Sequence, residues 1–182
     1  MASLALAVLS APASADATVA VELPRAQLVS DADLVVRVTV LDHRSAWDAD
    51  NTAIRTWTRL RVTEYLKGSG PSELTVRQIG GEAEGLAQYV PGDPRLREGA
   101  DLVVFLRRGE GVQFLTAMAQ SVFYVERGPD GEAYVRRDLT GLTFARVSPT
   151  RPMEVYEPES VSVVETLDQL RASIRQGAGG AR

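Results

Sequence analysis

Two stretches of this chain change side chain character at every second position, the period of a strand with one face buried and one face wet, which no helix can use. Leu34, Val36, Val38 and Val40 alternate with Val35, Arg37 and Thr39. Ile54, Thr56, Thr58, Leu60 and Val62 then alternate with Arg55, Trp57, Arg59 and Arg61. A core assembled from such segments is a curled sheet, so the expected class is mainly β.

The rest of the chain fits that frame. Pro24 to Asp31 reads as a short helix with its proline in the first turn. Asp42 to Thr52 is mostly polar and reads as a loop. A turn over Leu66–Pro71 leads to strand alternation from Leu74 to Ile79, which Gly80-Gly81 stops. The Gly-, Pro- and Glu-rich stretch from Gly81 to Gly99 reads as a long loop with an extended piece at Leu86–Val90. Leu102 to Leu106 is wholly apolar, as a central strand buried on both faces should be, and it turns into Val112–Ala117. Asp130-Gly131 then joins Val122–Val125 to Ala133–Val135 in a further hairpin. Near the end, Ser162 and Glu165 have capping-box spacing, predicting a helix over Val163–Gln176 with Val163, Leu167, Leu170 and Ile174 on one stripe.

At the start, the apolar run Leu4–Leu9 leads into Ser10-Ala11-Pro12-Ala13-Ser14-Ala15, small residues of the kind that signal peptidase cleaves after. Residues 1–15 are therefore expected to be a signal peptide, possessing no positive n-region at this start, with one domain over 16–176 and a flexible tail over 177–182. The location implied is periplasmic or secreted, and the mature chain has no apolar run of membrane-spanning length. The chain has no Cys, so an exported domain must be held by packing alone.

The run Asp31–Val40 followed by Thr58–Gly68, with its closing Lys67-Gly68, resembles the opening of the netrin and tissue-inhibitor-of-metalloproteinase class of OB-fold barrels. Val76–Gly81 and Glu98–Leu106 resemble a module of exported bacterial proteins that sometimes precedes a matrixin-type protease domain. Together the resemblance spans residues 28–126. It implies an OB-like antiparallel barrel of five or six strands with the C-terminal helix packed on it. Inhibitors of that class act through an N-terminal Cys that this chain lacks, so no inhibitory residue carries over.

Chemistry is sparsely provided. His43 is the single histidine, which removes the H-E-x-x-H zinc site of a matrixin and leaves no nucleophile elbow to serve. Lys67 lies in a turn without the spacing of a phosphate-binding loop. Carboxylate pairs, Glu82 with Glu84 and Glu98 with Asp101, are what remains for a hydrolase. Asp48, Asp50 and Asn51 offer a weak calcium alternative without the glycine and terminal glutamate of an EF-hand loop. With 20 basic against 24 acidic side chains, a formal charge of −4, nucleic acid is a poor partner. The strongest surface feature is the outer side of the second strand, where Arg55, Trp57, Arg59 and Arg61 project at intervals of roughly 6.6 Å, an aromatic between cations. The expected function is that of a non-enzymatic exported or envelope-associated module that binds a protein partner through this strand face, with no catalytic residue and no cofactor. Inhibition or chaperoning of an exported protease is the alternative, and a carboxylate hydrolase the third.

Overall fold

A computed structural model describes residues 17–148 and 151–179. In chain order the elements are β1 (Thr18–Val21), α1 (Arg25–Asp31), β2 (Leu34–Trp47), β3 (Ile54–Lys67), β4 (Glu73–Ile79), β5 (Gly81–Ala83), β6 (Leu86–Gln88), β7 (Asp101–Arg108), β8 (Gln113–Leu115), a 3₁₀ turn (Met118–Ser121), β9 (Val122–Arg127), β10 (Ala133–Asp138), β11 (Leu142–Ser148), β12 (Arg151–Tyr156), β13 (Val161–Thr166) and α2 (Leu167–Gly179).

Five strands close into a barrel in the order β7–β2–β3–β4–β8. All neighbours are antiparallel except β4 and β8, which meet in parallel at Val76 and Gln113, and β8 returns to β7 through Leu106 and Leu115. This is the closure of an OB-type Greek-key barrel. Beyond β7 the sheet continues outward through β9, β10 and β13, while β1, β11 and β12 form a small separate sheet.

The alternation explains the layers. Leu34, Val36, Val38 and Val40 of β2 point into the barrel with Leu60, Leu74, Val76, Leu102, Val104 and Leu106, and Leu96 from the long loop joins them. The opposite faces of β2 and β7, with Phe123 of β9 and Val135 of β10, make a second core that α1 and α2 cover with Leu28, Val29, Leu167, Leu170 and Ile174. β7 is thus buried on both sides, the reason its sequence is continuously apolar. Each such fully buried aliphatic side chain stabilises the fold by about 1.5–3 kcal/mol.

The structure departs from the sequence expectations in four places. Asp42–Trp47 is not a loop but the second half of β2, paired residue by residue with Ile54–Arg59 after a bulge near Leu41. The 81–99 segment holds a small hairpin, β5–β6. Val161–Thr166 is a strand paired with β10, so the C-terminal helix starts at Leu167 and runs through Gly177 to Gly179. Its capping box is Thr166 with Gln169, whose side chains and main-chain N–H groups bond reciprocally at 3.2 and 2.9 Å. The three-stranded sheet has no counterpart in the sequence expectations. The segment expected to be a signal peptide, residues 1–15, and the last three residues of the expected tail lie outside the described residues.

Candidate functional site

β3 carries Arg55, Trp57, Arg59 and Arg61 on the outside of the barrel, with Ile54, Thr58 and Leu60 buried on the inside. Strand pairing settles what surrounds each. Arg55 reaches Asp48 at 3.3 Å. Arg59 forms a two-pronged pair with Asp42 and lies 3.7 Å from Glu73. The guanidinium holds the exposed Asp42 carboxyl below its ordinary range. Arg61 is exposed beside Thr39 and Glu73. Trp57 is half-buried, with the Arg44 guanidinium stacked 4.8 Å from its ring centre.

The longer feature runs across the strands instead of along one. Arg44 of β2 pairs with Trp57 of β3, and Trp57 pairs with Arg77 of β4. Arg77 stacks 4.9 Å from the ring centre of Phe114 on β8, and Phe114 pairs with Arg107 of β7. Cation and aromatic therefore alternate over five adjacent strands: Arg44, Trp57, Arg77, Phe114, Arg107. The three arginines are exposed, and among the described residues none has a carboxylate partner within 4.0 Å. Only Trp57 of this row was singled out by the sequence. The others are recoverable once β2 is carried to Trp47 and the barrel order is known.

On the inner side, the upper parts of β2, β3 and β4 turn polar and open into a cleft of about 590 Å³. His43 and Thr58 form one cross-strand pair there, Ser45 and Thr56 the next. Thr56 donates to the Gly80 carbonyl at 2.6 Å and so accepts from Ser45 at 2.8 Å. Gly81, at φ 127°, passes against those two hydroxyls where a Cβ would collide with both, letting the β5–β6 hairpin fold over the opening. Across the cleft the Gln78 amide donates to Asp93 and to the Pro94 carbonyl, both at 2.9 Å. Burial pushes the Asp93 carboxyl up to about 6, against the lowering effect of Gln78. His43 Nδ1 lies 3.5 Å from Glu98. Tyr89, with Arg95 stacked 5.7 Å from its ring centre, and Arg97 form the rim.

The carboxylates considered for hydrolysis take separate partners. Glu98 meets His43 and Asp101 meets Arg37, while Glu82 and Glu84 are exposed on the β5–β6 hairpin. Asp48 accepts from Thr52 N and Oγ1 and from Ala53 N, which closes the β2–β3 turn in which Asp50 and Asn51 lie exposed. No cluster of three metal-ligating side chains occurs among the described residues. Nor is any described helix long and apolar enough to cross a membrane. No family model, no curated protein and no solved structure matches the chain.

Proposed function

We propose that this domain is a non-enzymatic binding module of an exported or envelope-associated protein, and that it takes an acidic segment of a partner protein on the outer face of the barrel. The observation that carries the reading is the row Arg44, Trp57, Arg77, Phe114, Arg107, whose three cations are left without carboxylates beside two aromatic faces. Such a row matches an extended chain bearing Asp or Glu between apolar side chains, because each cation gains from a new charge partner while the rings supply dry contact area. The second and third barrel strands, here β3 and β4, carry the face on which OB barrels generally receive ligands. The export half of the reading is supported by the Leu4–Ala15 segment.

A fluorescently labelled Glu-rich peptide of about a dozen residues, followed by anisotropy, tests this reading. Binding should weaken with salt and fall by roughly tenfold or more in the Arg44→Ala/Arg77→Ala double variant. An affinity indifferent to that variant would overturn the proposal, and so would tighter binding of a labelled oligonucleotide of the same length.

A further inference from the structure

The barrel-mouth cleft has no role in the outer-face reading, yet it is built as a site. Its back wall is polar where the rest of the barrel interior is apolar: His43, Ser45, Thr56, Thr58 and Gln78 replace the valines and leucines found lower on the same strands. Thr58 is buried and Ser45, Thr56 and Gln78 are half-buried, and hydroxyl and amide groups drawn away from water are a cost unless they are used. Some of their capacity is used internally, through Ser45 to Thr56 to Gly80 and Gln78 to Asp93, which fixes the side chains in place. Because Ser45 donates to Thr56, the Ser45 oxygen keeps its acceptor capacity.

The rim has a different character. Tyr89 is 55% exposed and offers a ring face. Arg95 and Arg97 stand beside it and, among the described residues, neither has a carboxylate partner within 4.0 Å. A second cavity of about 310 Å³ shares Tyr89, Asp93, Arg95 and Arg97 with the first. Two unpaired guanidiniums over a hydroxyl-lined hollow match a ligand with one carboxylate and many hydroxyls. A dianion such as a phosphate monoester fits poorly, since Glu82 on the lining and Glu98 beside His43 offset much of the positive charge. An apolar ligand is mismatched with the back wall. The cleft volume falls within the range of about 300–1,000 Å³ usual for small-molecule sites.

The geometry points to a binding site for a hexuronic acid, free or at the end of a glycan chain, with its carboxylate on Arg95 and Arg97, its ring against Tyr89 and its hydroxyls on the Asp93–Gln78 pair and the Ser45 and Thr58 hydroxyls.

Calorimetric titration with glucuronate, with an oligogalacturonide and with glucose tests the site. A uronate should bind and glucose should bind at least about tenfold more weakly. The Arg95→Gln/Arg97→Gln variant, altered only at exposed loop positions, should lose uronate binding by a similar factor while its thermal midpoint stays put. Arg44→Ala/Arg77→Ala should leave uronate binding unchanged, which separates this site from the outer row. Tighter binding of the oligomer than of the free sugar would assign the ligand to a glycan, and the reverse to a soluble metabolite. If neither uronate binds at about 10 mM, or the loop variant binds as well as the parent protein, the inference is overturned.

Discussion

Asp93 sits in an environment at odds with its chemistry. Half-buried beside Gln78, its carboxyl is pushed by desolvation up to about 6, where an open aspartate titrates at 3.8. The folded state therefore holds this proton more tightly than the unfolded chain does. The resulting stabilisation is complete below about pH 3.8 and is lost as the pH rises to about 6, beyond which the ionised carboxylate is a constant burden. At 1.36 kcal/mol per unit, the step is of the order of 2–3 kcal/mol. Asp93→Asn keeps an acceptor oxygen for the Gln78 amide and cannot ionise. The variant should gain stability over the parent protein progressively between about pH 4 and pH 6, then by a constant margin up to about pH 8. Urea titrations of both proteins at several pH values measure that difference, and a flat difference across the window would mean that the buried carboxyl titrates normally. Asp93 was invisible in the sequence because its neighbours Gly92, Pro94 and Arg95 mark only a loop, and nothing local reports that Gln78 comes to meet it.

At the scale of elements, legibility follows how one-sided the burial is. The strand pattern was plain from Leu34 to Val40 because one face is wholly apolar. It vanished from Asp42 to Ser45 because there both faces are polar, with Asp42 and Arg44 outside and His43 and Ser45 lining the cleft. The residues that make the candidate sites are thus the ones that erase the strand signal. At the other end, two capping boxes compete four residues apart. Thr166 wins over Ser162 because Val161, Val163 and Val164 favour an extended chain and β10 is there to pair with it, and because Glu165 is claimed by Arg25 at 2.5 Å. The one lysine also acquired a role that its turn did not announce. Lys67, at the end of β3, donates to the carbonyls of Val29 and Ala32 at 2.6 and 2.7 Å, capping the C-terminal end of α1. Lys67→Met keeps the apolar stem and strands those carbonyls, so it should cost about 1–3 kcal/mol. Amide exchange should quicken first in α1. A loss under roughly 0.5 kcal/mol in a denaturant titration would show that water replaces the ammonium at no expense.

For the whole molecule, the distribution of apolar surface decides what depends on what. The barrel interior is self-contained, being built from β2, β3, β4, β7 and β8 with help from β9 and Leu96. The second core is different: Val35, Val103, Phe105, Phe123 and Val135 form one side, and the two helices form the other. α1 is too short to cover that face. α2 supplies Leu167, Leu170 and Ile174, packs Gly177 directly onto Val29, and is tied down by Arg171 to Glu64 at 2.5 Å and by Ser173 to Arg25 at 3.1 Å. Losing three buried aliphatic side chains costs roughly 5–9 kcal/mol, before counting the sheet face they cover. A domain of this size has only about 5–15 kcal/mol of net stability. A chain ending at Thr166 should therefore keep far-UV strand signal but lose its cooperative thermal transition and bind a hydrophobic dye such as ANS. If the shortened chain instead melts sharply and stays soluble, the barrel is the folding unit by itself and the helical layer is an accessory to it.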